Sequence, residues 1–171
     1  MAKVKAKVGD VFQIPIDDAR AGYGQVILQP EKNVLFILVF AATTPANATP
    51  DLHEIIGSDI LLAGNTFDAK IWHGDWPVVG NITSNVADIA LPVYKSGMGD
   101  SAIVESLDRS RRRPATKEEE QSLPFRTYTS AMAFEMALKA IAGIGEWLDF
   151  NVGFFFVARR QSLKHLFCTA R

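Results

Sequence analysis

The sequence predicts an α+β fold: a mostly antiparallel, barrel-like β-sheet covered by one main C-terminal helix plus a short helix. Three features carry this. Apolar and polar residues alternate with period two in several stretches before Leu107, and the run 34–40 is apolar throughout and rich in β-branched and aromatic residues. One long segment, 130–142, places its apolar residues at helical spacing. With 171 residues, 48% of them hydrophobic and 11 of them Phe, the chain has enough material to bury roughly 70% of its unfolded surface. That excludes intrinsic disorder for most of it. One unit over 1–171 is expected, with a β-rich part over 1–107 and a helix-containing part over 108–171.

Residues 11–16 alternate around Gln13 and read as the first strand; Pro15, which cannot donate to a ladder, calls for an edge or a bulge there. Asp17, Asp18 and Gly22 mark a turn, and 23–28 resume the extended pattern. The run 34–40 is too short for an isolated core helix and reads as a central strand buried on both faces. These three strands with short turns form a meander. Residues 41–50, rich in Thr, Pro and Asn, read as a loop, and 51–57 as one helical turn or the entry to a strand. Strands or a bent strand are expected over 60–63 and 66–72, broken at Gly64-Asn65, with Trp72 and Trp76 flanking a tight turn at His73-Gly74-Asp75. Further strand-like pieces occupy 90–94 and 102–107. Thr116 and Glu119 have capping-box spacing, so a short helix starts there. The long helix over 130–142 ends at Gly143 and Gly145, and 154–157 reads as a last strand.

A net charge of -1 gives no global attraction to nucleic acid or anionic lipid. The longest apolar run, 34–42, is half of what a membrane-spanning helix needs, and no secretory stretch follows the basic start, so a soluble cytoplasmic protein is expected. The single cysteine, Cys168, excludes an internal disulfide framework and a Cys-rich zinc site. No Walker or Rossmann loop, nucleophile elbow or His-Glu-x-x-His motif occurs. The basic run Arg109, Ser110, Arg111, Arg112 and Arg113 has no aromatic neighbours and is followed at once by Glu118, Glu119 and Glu120. A solvated segment with local ion pairing is its expected role, not a nucleic-acid site.

Two small clusters bear on chemistry. His53-Glu54 and His73-x-Asp75 form a catalytic or metal-binding set only if the fold makes them converge, and His165 stands apart near the tail. Trp72, Trp76 and Trp147 are core or lid residues more often than ligand platforms. Asp17 and Asp18 serve turn chemistry or an acidic rim that meets a basic partner.

Residues 8–16, Val-Gly-Asp-Val-Phe-Gln-Ile-Pro-Ile, followed by Gly22-Tyr23-Gly24-Gln25-Val26-Ile27, resemble the opening of the immunity protein 26 family. The segment 76–81, Trp-Pro-Val-Val-Gly-Asn, and Leu91-Pro92 are similar to that family's Trp-x-x-x-Gly segment and the Leu-Pro after it. The resemblance covers most of 5–107 and, more loosely, the helix at 130–142. It implies a mostly β protein that binds and neutralises a cognate toxin of a bacterial polymorphic-toxin system. The family also contains small proteins labelled phosphotriesterases, so a hydrolase of organophosphates is the alternative. The matched residues are scaffold positions: Gly9 for a turn, Phe12 and Val26 for packing, Gly24 and Gly80 for close backbone approach. Under the binding reading, Asp17, Asp18, Trp72, His73, Asp75 and Trp76 meet the toxin, with the 118–120 glutamates adding charge, and no cofactor, nucleic acid or membrane is involved. Under the hydrolase reading, His53, Glu54, His73 and Asp75 act as catalysts, with a divalent metal activating water and an aromatic pocket of Trp72, Trp76, Phe40 and Tyr94 holding the leaving group.

Overall fold

The computed structural model describes residues 3–147 and 155–156. In chain order the elements are β1 (Asp10–Pro15), β2 (Arg20–Glu31), β3 (Val34–Pro45), α1 (Leu52–Gly57), β4 (Ile60–Phe67), α2 (Ala69–His73), β5 (Val78–Asn81), β6 (Val93–Ser96), β7 (Ile103–Ser106), β8 (Arg112–Pro114), α3 (Lys117–Ser122), α4 (Ala131–Ile141) and β9 (Phe155–Phe156). They form an α+β structure with two antiparallel sheets, one ordered β5-β1-β2-β3-β4-β9 and the other β6-β7-β8. The meander β1-β2-β3 is present as the sequence predicts.

The expected barrel closure is absent among the described residues. The six-stranded sheet is open, with β5 and β9 as edges that do not pair with each other, and its central strand β3 buries alternate residues against two different covers. Leu35, Ile37 and Val39 join Phe12, Ile14 and Val26 beneath Phe134, Ala137 and Leu138 of α4. Phe36, Leu38 and Phe40 join Val11, Tyr23 and Ile27 on the other face, covered by Ile55 and Ile56 of α1, Tyr94 of β6 and Leu107. All six of these β3 side chains are at most 1% exposed. At roughly 1.5–3 kcal/mol for each buried side chain of this size, this strand is the energetic centre of the fold.

Close approach fixes the packing. Gly24 pairs with Phe12, and a Cβ there would lie 2.5 Å from the Phe12 ring, so the aromatic face covers a residue with no side chain. A Cβ on Gly80 would collide with Leu52 of α1. Gly9 turns at φ 87°. The roles read for these glycines from the sequence therefore hold. Pro15 ends β1 beyond the reach of β5, whose pairing stops at Phe12, and a bulge lies between Val11 and Phe12.

Several boundaries differ from the sequence reading, and β4 runs unbroken through Gly64 and Asn65, which pair with Ile37 and Phe36, where a break is expected. β3 runs on past Phe40, and Thr43, Thr44 and Pro45 pair with Gly22, Ala21 and Arg20, so the loop expected over 41–50 is shorter. Residues 66–72 are not one strand: β4 stops at Phe67 and the chain turns at Asp68 into α2, which Gly74 ends at φ 83°. Residues 112–114 add the strand β8 within the basic run. Asp51 settles the ambiguity over 51–57, because its side chain accepts the backbone N–H groups of His53 and Glu54 and starts a helix. The Thr116–Glu119 capping box is formed, and Ser130 caps α4 by accepting the Ala133 N–H. The strand expected at 154–157 is described only as Phe155–Phe156, paired with β4.

Candidate functional site

The β1–β2 turn and the α2–β5 turn meet at one end of the six-stranded sheet. In the first, Asp17 Oδ1 accepts the backbone N–H groups of Ala19 at 2.9 Å and Arg20 at 2.6 Å, while its other oxygen lies 2.8 Å from the Arg20 guanidinium. Arg20 holds the Asp17 carboxyl below its ordinary range. Asp18 beside it is exposed. In the second turn, Asp75 is exposed and faces Lys70 Nζ at 3.6 Å. A hollow of about 170 Å³ is bordered by Asp17, Arg20, Ala46 and Asp75, and a second of about 270 Å³ by Phe67, His73, Asp75 and Met132. Asp75 borders both, so Asp17, His73 and Asp75 share one continuous face, on which Arg20 and Lys70, bordering the same hollows, offset part of the acidic charge and Asp18 adds to it.

The tryptophans divide. Trp72 is half-buried, with the Lys3 ammonium 5.4 Å from its ring. Trp76, offered above as a contact residue and as part of an aromatic pocket, is 1% exposed and belongs to the core. It stacks on Phe12 with ring centroids 5.2 Å apart, and its indole N–H points to Glu135 Oε2 at 3.4 Å. It supports the face from beneath. Phe40 and Tyr94 are likewise fully packed on the opposite side of the sheet, so the proposed aromatic pocket is not assembled.

Glu135 is the residue that sequence reading missed. It is 7% exposed on α4 and lies 3.3 Å from Lys70 and 2.8 Å from Lys139. Burial raises its pKa, but the Lys139 hydrogen bond and the charges of Lys139 and Lys70 outweigh that and hold the carboxyl below its ordinary value. An ionised Glu135 thus anchors Lys70, and Lys70 in turn faces Asp75. The only signal was an acidic residue inside the apolar stripe of a helix, four before a lysine.

His53 and Glu54 are exposed on α1, whose Ile55 and Ile56 pack on one face of the sheet. His73 ends α2, whose Ile71 packs on the other. The sheet lies between the two pairs, and the catalytic set of His53, Glu54, His73 and Asp75 is not brought together. Among the described residues no group of three or more His, Cys, Asp or Glu stands where it could hold a metal ion. His165 and Cys168 lie outside the described residues.

The basic run is ion-paired locally, as expected. Buried Glu105 on β7 lies 2.6 Å from Arg112, 3.1 Å from Arg126 and 3.6 Å from Arg109. Arg109 also meets Glu31 at 2.8 Å. Arg113 grips Glu119 through two hydrogen bonds of 2.5 and 2.7 Å, which hold the Glu119 carboxyl down at about 2. Beneath this cluster the Arg126 guanidinium lies 4.8 Å from the Tyr94 ring, and burial pushes the Tyr94 hydroxyl up to about 12.

A family model described as Immunity protein 26 matches residues 7–102, more than half of the chain. No curated protein and no solved structure matches it. The matched segment carries β1 through β6 and both turns of the acidic face. Among the described residues no helix is long and apolar enough to cross a membrane.

Proposed function

The chain belongs to the immunity protein 26 family, and we propose that it neutralises a cognate bacterial toxin by direct protein–protein contact. The observation that carries this reading is the family match across residues 7–102, the segment that builds most of the six-stranded sheet and the two turns at its end. The contact lies on the acidic face. Asp17, Asp18, His73 and Asp75 present it, Trp72 stands at its margin, and Trp76 on Phe12 keeps it stiff. A preformed face loses little conformational freedom on docking, and its carboxylates steer a basic partner. Neutralisation follows from occlusion of the toxin's working surface.

The hydrolase alternative gains no support from this geometry, since the sheet separates its two pairs of residues. The test is titration calorimetry against the toxin encoded beside this protein. Binding with a Kd below about 1 μM is expected, and Asp18→Lys with Asp75→Lys should weaken it by about a hundredfold. Both positions are exposed, so circular dichroism should show an unchanged fold. Absence of a complex with the unsubstituted protein would sink the proposal.

A further inference from the structure

The hollow of about 270 Å³ between α2 and the start of α4 differs from the rest of the face in what it leaves exposed. Its formal charges are paired among themselves. Lys70 Nζ lies 3.3 Å from Glu135 and 3.6 Å from Asp75, and Lys139 meets Glu135 again at 2.8 Å. Two cations thus answer two carboxylates, and the hollow is electrically balanced. Its apolar side is not settled in the same way. Phe67 at the end of β4 and Met132 in the first turn of α4 both border it, and each is 49% exposed.

The sequence of α4 sets this arrangement. The helix buries Ala131, Ala133, Phe134 and Ala137, so Met132 and Met136, four residues apart, fall together on its outer side. Phe67 in turn lies against the exposed Tyr128, with ring centroids 6.2 Å apart. Four large apolar side chains therefore run as one exposed strip past the hollow, from Tyr128 through Phe67 to Met132 and Met136. A contiguous apolar strip rimmed by polar groups marks a surface that another molecule covers.

Resting on the toxin reading above, we propose that this hollow is the anchor pocket of the contact and receives one aromatic side chain of the toxin. A charged occupant gains nothing there, since a cation meets Lys70 and an anion meets Asp75. An aromatic ring gains from both kinds of neighbour: the Met132 thioether packs at its edge, and the fixed Lys70 ammonium is attracted to its face. Asp75 borders this hollow and the one beside Arg20, so the anchor sits inside the face and the charged turns form its rim.

Two arms test this on the full chain. In the first, methyl NMR of methionine-labelled protein follows Met132 as N-acetyl-L-tryptophanamide is added, with N-acetyl-L-leucinamide as the control. The Met132 signal should move upfield with the aromatic amide only, while Met98, 72% exposed between β6 and β7, stays in place. Asp18→Lys, which does not border the hollow, should leave that response unchanged. In the second arm, Met132→Lys should lower toxin affinity at least tenfold by calorimetry, with an unchanged circular dichroism spectrum because the side chain is half exposed. A toxin complex that Met132→Lys leaves undiminished overturns this inference alone, whereas absence of a complex with the unsubstituted protein removes the toxin reading and this one with it. Equal movement of Met132 and Met98 or an equal response to leucinamide also overturns it. So does a Met132 signal that the aromatic amide does not move, as when the chain's own C-terminal residues or a second copy fill the hollow.

Discussion

In the six-stranded sheet, β3 carries six apolar side chains packed against two covers, and Gly24 lets the Phe12 ring lie flat on the strand beside it. In the three-stranded sheet, β7 instead carries Glu105, almost without exposure, and arginines from three places in the chain close around it. The first region is specified by shape and burial, which are non-directional and tolerate salt and pH. The second is specified by guanidinium–carboxylate geometry, where removing one partner leaves the other charged in a dry place. The lesson is that a substitution of the same size costs stability by different routes in the two sheets.

The largest effect should come from the first region. Phe12→Ala removes the ring that covers Gly24 and stacks on Trp76, and should cost about 4 kcal/mol in urea unfolding, nearly independent of salt. A loss under 1 kcal/mol would break the contrast. Next, Glu105→Gln leaves the Arg126 guanidinium, 8% exposed, without its carboxylate and should cost about 3 kcal/mol. Arg112→Ala, at the exposed end of the same cluster, should cost less than about 1 kcal/mol. If both lose the same amount, burial is not what makes Glu105 matter. Thr116→Ala opens the capping box of α3 and should cost about 1 kcal/mol.

The smallest effect is a pH slope. Folding holds the Glu119 carboxyl at about 2 against an ordinary 4.5, so the unfolded chain takes up its proton first. The Glu119–Arg113 pair therefore contributes fully above 4.5, and its contribution fades as pH falls toward about 2. Comparing unfolding midpoints of the unsubstituted protein and Glu119→Gln across that window should show the difference between them shrinking. A constant difference would count against the pairing.

The sequence disclosed those parts that rest on local chemistry. Alternation placed β1 and β2, the run 34–40 identified the central strand, and Ser130 and Thr116 marked their helices correctly. Where a strand is polar and unburied the pattern vanishes. Thr43, Thr44 and Pro45 look like loop residues, and Arg112–Pro114 like a charged linker, because only backbone pairing makes them strands. A helix as short as α2 has no period to read, so Ile71 and Trp72 passed for strand residues. Barrel closure and the fate of His53 and His73 depend on which face of the sheet each connection crosses, and no residue spacing encodes that. Asp17 and Asp75, fifty-eight positions apart in sequence but neighbours across one hollow, were both legible as acidic turn residues; their adjacency was not.

The end of the family match at Ala102 falls between β6 and β7, inside a hairpin. Ala102 gives its carbonyl to the N–H of Ala115, and Leu107 fills space beneath Phe36 and Phe40. A fragment cut at that border would shed both the hairpin partner and the α4 lid over Phe12, and should emerge sticky and unfolded. Packing thus crosses the border of the matched segment, and far-ultraviolet circular dichroism of residues 7–102 expressed alone should show the loss of structure.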